Sequence, residues 1–369
     1  MILYGKQFID SEDVKAVQSV LESDYLTTGP KVHEFEEAFA SYCGVDHAVS
    51  FSSGTAALHA CMAVIGVGPG DEVIVPTMTF AATANCVVYM GGTPVFADVY
   101  PADLLVDVEW VKDCITPKTK AIIGMDYAGQ LCDWEGLAQL SKEHGIWLIA
   151  DACHSLGAHN EGRRAGSLAD LTAFSFHPVK MITTGEGGMV TCKDPGLVEA
   201  LKRFRSHGID VNYQNRELWR YDMIGLGYNY RLSDIQCVLG SSQLKKLPKF
   251  LEARKNIAQM YFEAFQGVEG IDPLIAWDFD AHSFHLFVVR VAPDNRERIF
   301  RQLQERGIGV CVHYKPVHMH SFYKQNFNTT MGMYPIAEWA YDEIISLPIH
   351  PGLSDMDVRR IIAVVKGVL

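Results

Sequence analysis

The chain has 369 residues, 48% of them hydrophobic and 21% charged, as expected for a globular protein larger than one ordinary domain. Its formal net charge of −12 argues against nucleic acid as a partner, because binding a phosphate backbone requires clustered Lys and Arg. Nine cysteines form no Cys-x-x-Cys pair, which favours reduced thiols over disulfides or a metal site. Neither a secretory signal nor an apolar run of 18 residues is visible, so we expect a cytoplasmic protein without a membrane partner.

The predicted elements begin with two helices, near residues 11–21 and 32–41. Short β-prone runs then alternate with helical segments as far as residue 192. The seven predicted strands are 48–51, 72–75, 94–98, 121–125, 147–150, 171–175 and 189–192. Such alternation predicts an α/β fold with a mainly parallel sheet covered on both faces. Ligands of such sheets bind at the carboxyl ends of the strands.

The pattern changes in the C-terminal third. Ser233 and Gln236 form a capping box that opens a long helix, and Pro248 should end or kink that helix before residue 265. Beyond residue 270 we expect strand-like or helical segments at 284–291, 295–306, 310–312 and 355–365. The chain is therefore predicted to contain a large domain, 1–250, and a smaller α+β domain, 251–369.

Lys180 lies between a short apolar strand and a glycine-rich turn. It follows Pro178, and residues 183–188 are small enough for a ligand to approach their backbone. A lysine in such a place can be desolvated, which lowers its pKa and makes its amine a nucleophile toward aldehydes. Taken alone, a surface lysine beside a flexible loop explains the same pattern.

Other candidates also lie at strand ends or helix starts. Ser53, in a hydroxyl-rich turn that opens a helix, suits a phosphate, although an ordinary helix cap has the same sequence. Asp151 follows an apolar run and could keep a pyridine nitrogen protonated, or could be a plain turn residue. Phe80 could stack on a flat ring, and His154 could bond a phenolic oxygen, or both could be core residues. Together with Lys180, the set predicts a site for pyridoxal 5′-phosphate (PLP).

Six motifs extend the pattern over nearly the whole chain: SGTAAL at 53–58, PTMTFAATAN at 76–85, DACHS at 151–155, FSFHPVK at 174–180, GLGYNYRLS at 225–233 and VHYKP at 312–316. As a set they resemble the PLP-dependent sugar-nucleotide aminotransferases of fold type I. The resemblance implies a large domain with a seven-stranded, mainly parallel sheet and a small C-terminal α+β domain.

The resemblance also assigns roles to individual residues. Lys180 would hold the cofactor covalently and later move a proton, with Asp151 paired to the pyridine nitrogen. The remaining cofactor residues would be Ser53, Gly54, Thr55 and Ser175 at the phosphate, with Phe80 and His154 at the ring. Asn229 would reach the phosphate in the partner subunit, which makes the active unit a homodimer.

Within the family, residues 23–29, 183–188, 204–208 and 312–317 resemble the branch that serves pseudaminic acid biosynthesis. This implies conversion of a UDP-linked 4-keto-6-deoxy-N-acetylhexosamine to its 4-amino sugar, with L-glutamate leaving as 2-oxoglutarate. The implied substrate-binding residues are Tyr4, Asp24, Tyr25, Leu26, Thr27, Arg231, Val312, His313, Tyr314 and Lys315. Arg231 and Lys315, with His313 nearby, would supply positive charge for the diphosphate.

Three alternatives compete with this prediction. Enzymes for other nucleotide keto-sugars, of the perosamine or 4-amino-4-deoxyarabinose type, share much of the same pattern. A dehydratase branch of the family replaces the lysine with histidine; here His177 lies three residues before Lys180, so the replacement has not occurred. A non-catalytic regulatory protein on this fold would be expected to lack Lys180 or Asp151, and both are present.

Overall fold

The computed structural model describes residues 1–210 and 221–369. The N-terminal part contains α1 (Ser11–Leu21), α2 (Pro30–Cys43), β1 (His47–Phe51), α3 (Gly54–Val64), β2 (Glu72–Pro76), α4 (Ala81–Tyr89), β3 (Thr93–Ala97), α5 (Val108–Asp113), β4 (Thr119–Met125), α6 (Trp134–His144), β5 (Trp147–Asp151), β6 (His159–Asn160), β7 (Arg163–Arg164), β8 (Leu171–Ser175), β9 (Gly188–Cys192) and α7 (Pro195–Arg205). The C-terminal part contains α8 (Asp234–Phe265), β10 (Asp272–Pro273), β11 (Phe287–Arg290), α9 (Pro293–Glu305), α10 (Ser321–Asn326), α11 (Pro335–Glu343), β12 (Ile344–Leu347) and α12 (Asp355–Lys366).

Seven strands form the main sheet, in the order β1-β9-β8-β5-β4-β2-β3. All of them run parallel except β9, which is antiparallel to both of its neighbours. The predicted α/β fold and its seven strands are confirmed. Because β1, β2, β5 and β8 run in the same direction, the residues that follow them meet at one edge of the sheet.

Buried apolar side chains form three clusters. The largest surrounds the main sheet and also takes in Leu286, Val288 and Ile344 from the C-terminal part. A second joins the C-terminal half of α8 to β11, β12, α9 and α12, and the third lies between α2 and the N-terminal half of α8. The predicted domain division at residue 250 falls inside α8 and stays a prediction.

Helix α8 begins with the predicted capping box of Ser233 and Gln236, but it does not end at Pro248. Of the two outcomes expected at Pro248, an end or a kink, the end does not occur, although a proline lacks the N–H that would bond to the carbonyl one turn earlier. Leu244 and Leu247, before the proline, are buried in the third cluster, and Ile257 and Tyr261, after it, are buried in the second cluster. Burial on both sides offsets the loss of one hydrogen bond.

The small sheet has the antiparallel order β10-β11-β12. The segments predicted at 284–291, 295–306 and 355–365 correspond to β11, α9 and α12. The segment predicted at 310–312 forms only an isolated bridge, between Cys311 and Ser346. No helix in the described part of the chain is long and apolar enough to cross a membrane.

The first residues of the chain lie against its C-terminal part. The N–H of Ile2 donates to the carbonyl of Gly307 at 2.8 Å, and the N–H of Gly309 donates to the carbonyl of Ile2 at 2.7 Å. The N–H of Ile349 donates to the carbonyl of Tyr4 at 3.1 Å. Tyr4 is thereby held next to His313, with the two ring centroids 5.3 Å apart.

Candidate active site

Four strand ends and helix starts place the predicted cofactor residues along one edge of the main sheet. Asp151 is the last residue of β5, and Ser175 is the last residue of β8. Ser53 caps α3 just after β1, and Phe80 precedes the first residue of α4 just after β2. The alternation of strands and helices therefore brings together residues that lie far apart in the sequence.

Lys180 lies in a tight turn after β8, in which its N–H donates to the carbonyl of His177 at 2.8 Å. The glycine-rich turn that follows folds back on Phe176, whose carbonyl accepts from the N–H of Thr184 at 3.1 Å. Burial lowers the pKa of the Lys180 amine, and the nearby Cys153 and Asp151 partly oppose this effect. A larger fraction of the amine is therefore uncharged than in a lysine exposed to water.

Asp151 is 3% exposed, and both of its carboxylate oxygens accept hydrogen bonds. The hydroxyl of Thr83 donates to Oδ2 at 2.7 Å, and the N–H of Cys153 donates to Oδ1 at 3.2 Å. The Thr83 hydroxyl lies 2.7 Å from that of Thr79, four residues earlier, in the turn before α4. These contacts fix the direction in which the carboxylate faces.

The start of α3 forms a cradle at the end of β8. The Ser53 hydroxyl accepts from the N–H of Ala56 at 3.1 Å, so its own proton remains available to another acceptor. A Cβ on Gly54 would lie 2.8 Å from the Cβ of Ser175, so this close approach requires glycine. Thr55 is the next residue of the helix, half-buried. A helix start with free N–H groups and hydroxyls suits a phosphate.

His154 lies among other rings at the same edge. Its Nε2 is 2.9 Å from the Tyr314 hydroxyl, and its ring centroid is 4.2 Å from that of His285. Burial, with the nearby positive charge of Lys180, lowers the pKa of His154 well below its usual value. The same two causes, with His154 and other basic groups, act on His285. Both rings are therefore neutral at physiological pH.

Predicted substrate-binding residues also lie near the rings of His154 and Tyr314. The Nδ1 of His313 lies 2.8 Å from the Ser346 hydroxyl, and burial lowers the pKa of His313 to about 3. Phe80 is 57% exposed, and its ring centroid lies 5.9 Å from that of Tyr314. Of their neighbours, Val312 is half-buried and Lys315 is exposed.

The remaining predicted residues form a second group at the start of α8. The exposed loop with Asp24, Tyr25, Leu26 and Thr27 is joined to α8 because the carbonyl of Leu26 accepts from the N–H of Asp234 at 3.0 Å. Arg231 is half-buried just before this helix, and Asn229 is exposed. The carbonyl of Tyr230 accepts from the N–H of Ser52 at 2.8 Å, which connects this group to the start of α3.

Two residues of the site are absent from the sequence prediction, Thr83 and His285. The only signal for Thr83 is its spacing of four from Thr79, which in a helix would bring the two hydroxyls to one face; in the structure Thr79 lies just before α4. His285 stands in a mostly apolar segment before β11, where a core histidine is the simpler expectation.

The residues at this edge fit PLP. A desolvated lysine amine suits an aldehyde, a buried and oriented carboxylate suits a ring nitrogen, and the Gly54 cradle suits a phosphate. The mostly open side chain of Phe80 offers a surface on which a flat ring can stack. Fold and site together define a fold type I PLP-dependent aminotransferase.

The chain belongs to the DegT/DnrJ/EryC1/StrS aminotransferase family, whose sequence profile matches residues 7–366. The spore coat polysaccharide biosynthesis protein SpsC of Bacillus subtilis is 36% identical, over 99% of this chain and 96% of that protein. The UDP-4-amino-4-deoxy-L-arabinose–oxoglutarate aminotransferase of Shewanella sediminis is also 36% identical, over 98% of this chain and 96% of its own length.

Solved structures agree over the full chain. PseC of Helicobacter pylori, an aminotransferase of pseudaminic acid biosynthesis, superposes with a TM-score of 0.95 at 36% identity, covering 100% of this chain and 98% of PseC. Spr1654 of Streptococcus pneumoniae, in its PLP form, superposes with a TM-score of 0.94 at 34% identity, covering 100% and 98% of the two chains. The protein is thus a sugar aminotransferase that uses PLP.

Proposed function

We propose that this enzyme converts a UDP-linked 4-keto-6-deoxy-N-acetylhexosamine into the corresponding 4-amino sugar. L-Glutamate donates the amine and leaves as 2-oxoglutarate. The observation that carries the choice of sugar is the likeness to PseC over both whole chains, at a TM-score of 0.95. The motifs at 23–29, 183–188 and 312–317 support the same branch.

PLP, when bound, withdraws electrons from the carbon that carries the amine. In our proposal Lys180 holds the cofactor through its amine, Asp151 holds the ring nitrogen, and Phe80 stacks on the ring. The phosphate is held by Ser53, Gly54, Thr55 and Ser175. His154 lies on the side of the cofactor ring that carries the phenolic oxygen. The proposal rests on the proximity of Lys180 and Asp151 at neighbouring strand ends.

The proton transfers of the reaction fall to Lys180. Its amine, once free, can take a proton at Nζ from one carbon and return it to another, because desolvation keeps a fraction of it uncharged. Tyr314 and His154 provide the neighbouring polar groups, joined by their 2.9 Å hydrogen bond. Burial of these side chains limits the access of water to the reacting atoms.

We propose that the sugar nucleotide is bound by Tyr4, His313 and Tyr314 from one side, and by Arg231 and the loop 24–27 from the start of α8. Asn229 would reach the phosphate in the partner subunit of a homodimer. In support, Asn229 is exposed in a segment that also exposes Met223 and Leu226, which suits a contact with a second copy. Nine free thiols agree with action in the cytoplasm.

The substrate is tested by running the reverse reaction with 2-oxoglutarate against a panel of UDP- and dTDP-linked amino sugars. We expect glutamate to form with the UDP-linked 4-amino-6-deoxy-N-acetylhexosamine. A preference for dTDP sugars would contradict the nucleotide assignment. Lys180→Ala serves as the blank for every sugar, because any glutamate that it still forms does not come from this site.

A second candidate is the transfer of an amine to a UDP-linked 4-keto-pentose. It is favoured by the 36% identity to the aminotransferase for UDP-4-amino-4-deoxy-L-arabinose, over 98% of this chain. The two sugars differ at C5 and C2, where the hexosamine carries a methyl and an N-acetyl group. Turnover of UDP-4-amino-4-deoxy-L-arabinose alone would replace the first proposal with this one.

A further inference from the structure

A buried histidine joins the loop that carries Phe80 to the C-terminal part of the chain. The Nδ1 of His318 lies 2.6 Å from the hydroxyl of Thr77, in the loop between β2 and α4. Its Nε2 lies 3.0 Å from Oε1 of Glu338, on α11. The three side chains form a line from a carboxylate through an imidazole to a hydroxyl. Thr77 and His318 are both 0% exposed, so no substrate reaches the hydroxyl, and the line can act only by holding its two ends in place.

The carboxylate end of this line is fixed by the backbone around it. The N–H of Gly332 lies 2.8 Å from both carboxylate oxygens of Glu338, and the N–H of Tyr334 donates to Oε1 at 3.3 Å. Helix α11 is in turn attached to the end of β3, because Asp98 accepts from the N–H groups of two residues in the first turn of the helix, both at 2.9 Å. The carboxylate therefore has a fixed position beside the main sheet.

The hydroxyl end of the line lies in a loop that the same C-terminal segment holds at several points. The carbonyl of Thr77 accepts from the N–H of Val317 at 2.8 Å, next to the bond between its hydroxyl and His318. The sulfur of Met78 accepts from the N–H of Tyr314 at 3.4 Å. Three contacts thus join the loop to one short segment.

This loop also carries two groups of the proposed cofactor site. Phe80 lies three residues after Thr77. The Thr79 hydroxyl lies 2.7 Å from that of Thr83, which donates to the carboxylate of Asp151, also at 2.7 Å. The position of Thr77 therefore affects both the exposed aromatic ring and the contacts of the buried carboxylate.

The position of the protons follows from the carboxylate end. Burial raises the pKa of Glu338, but the bonds from the N–H groups of Gly332 and Tyr334 lower it by more, so the pKa lies below its usual value. A carboxylate only accepts, so Nε2 of His318 must carry a proton. Burial lowers the pKa of His318, although nearby carboxylates oppose this effect. The ring is therefore neutral, and its Nδ1 accepts from the Thr77 hydroxyl.

We propose that His318 is a positioning residue, which through its hydrogen bond to Thr77 fixes the loop that places Phe80 beside the cofactor ring. Glu338 fixes the tautomer of His318 that can accept this bond. The effect on the cofactor rests on the proposed role of Phe80; the tautomer and the bond to Thr77 do not.

The first test is side-chain ¹⁵N NMR of histidine in the full-length protein as purified. The signals of His318 are assigned by their loss in His318→Asn or, if that variant does not fold, in His318→Gln. We expect Nε2 to carry the proton and Nδ1 to be unprotonated. A proton on Nδ1 would overturn the proposal, because Thr77 could then not donate to it.

Two variants separate the ends of the line. Asn places an oxygen close to the position of Nδ1, so His318→Asn can keep the bond to Thr77. Gln places an amide nitrogen close to the position of Nε2, so His318→Gln can keep only the bond to Glu338. We expect His318→Gln to bind PLP about 3- to 10-fold more weakly than the wild type, the effect of one lost hydrogen bond, and His318→Asn to bind it nearly as the wild type does.

Thr77→Val removes the hydroxyl but keeps the volume, and it should match His318→Gln. Binding is measured by titration of the cofactor-free proteins with PLP, and stability by urea denaturation of the same proteins, with the exposed His144→Gln as control. A merely structural role predicts that the affinity for PLP follows the free energy of unfolding in all variants. Equal affinities of His318→Asn and His318→Gln would overturn the proposal.

Phe80→Leu distinguishes a failure of this proposal from a failure of the proposed function. We expect it to weaken PLP binding at least as much as His318→Gln does, because it removes the aromatic ring itself. If Phe80→Leu binds PLP as the wild type does, the proposed stacking fails, and with it the effect of His318 on the cofactor. If Phe80→Leu weakens binding and His318→Gln does not, the stacking stands and the positioning role fails.

Discussion

The pKa of the Lys180 amine depends on the burial of this residue in a turn rather than on the residues next to it in the sequence. Burial lowers the pKa of its amine, and Asp151 is close enough to oppose that shift. We expect Lys180→Ala to lose the absorbance band of the bound cofactor and at least about 100-fold in rate, since it removes the proposed attachment point and the proposed proton carrier. The exposed Lys142 on α6 gives the control, Lys142→Ala, which should keep both.

The outcome that contradicts this role is simple to observe. If Lys180→Ala, purified with PLP, kept the same absorbance band and the same rate as Lys142→Ala, another amine would have to carry the cofactor. Circular dichroism of the two variants shows whether both are folded before the spectra are compared.

Individual site residues can be predicted from the sequence only where a local pattern identifies them. Lys180 and Asp151 could be predicted because each directly follows a β-prone run, and parallel strands gather their carboxyl ends. His285 and Thr83 could not, because their importance lies in contacts across 131 and 68 positions, with His154 and Asp151. No local spacing indicates such partners.

The start of α3 has no room for added volume. A Cβ on Gly54 would lie 2.8 Å from that of Ser175, so Gly54→Ala forces α3 and β8 apart where the phosphate is proposed to bind. Overpacking typically costs about 1–3 kcal/mol, and we expect PLP to bind about 10- to 100-fold more weakly. A titration of the cofactor-free protein with PLP measures the change.

Gly68 provides the matched control, because a Cβ there would meet nothing within 4 Å. Gly68→Ala should bind PLP as the wild type does. Equal affinities for the two variants would argue against a phosphate at the start of α3.

An ion pair with little access to water joins α2, β1 and α7. Arg205 donates to Oε1 of Glu36 at 2.5 Å and to the carbonyl of Ser50 at 2.9 Å, and the Ser50 hydroxyl also donates to Glu36, at 2.7 Å. Arg205→Met leaves the carboxylate without its counter-charge, so we expect a loss of about 3–5 kcal/mol in the free energy of unfolding. Urea denaturation followed by circular dichroism measures it.

The double variant Glu36→Gln/Arg205→Met removes both charges and should recover much of that loss. The exposed pair of Lys31 and Glu34 is the control, and Lys31→Met should cost less than about 1 kcal/mol. Strictly additive losses in the double variant would show that the two charges do not stabilise each other.

Element by element, the sequence predicts the main sheet well and the C-terminal part less well. The seven strands of the main sheet are apolar runs flanked by helical patterns, a regular arrangement that local reasoning detects. β12 is absent from the prediction, since Ile344–Leu347 directly follows α11 without a turn and its partner β11 lies more than 50 residues earlier. Pro248 alone could not decide whether the helix ends or continues; buried residues before and after it accompany a continuous α8.

The whole molecule should lose stability in mild acid. Burial lowers the pKa of His282 to about 3, that of His313 to about 3 and that of His350 to about 4. In the unfolded chain these histidines take up protons below about pH 6.5, whereas in the folded protein they stay neutral. The free energy of unfolding should therefore be highest above pH 6.5 and fall as the pH is lowered toward 4.

His282→Asn isolates one of these groups. Nδ1 of His282 accepts from the N–H of Phe284 at 2.8 Å, and the Asn oxygen can take its place. Between pH 6 and 4 the variant should lose stability less steeply than the wild type, by up to about 1.4 kcal/mol per pH unit. Denaturant titrations at several pH values provide the slopes, with the exposed His144→Asn as control; parallel slopes for all three proteins would contradict the assignment.

The pairing of residues 2–4 with residues 307–309 and 349 has a consequence for synthesis of the chain. Residues 2–4 bond to segments that are made more than 300 positions later. Contacts that distant cannot form until residues 307–349 have been made, and they form slowly because a long loop must close. Tyr4 thus reaches His313 only after residue 349 has been made, so a chain that terminates earlier lacks this contact even where its main sheet has folded.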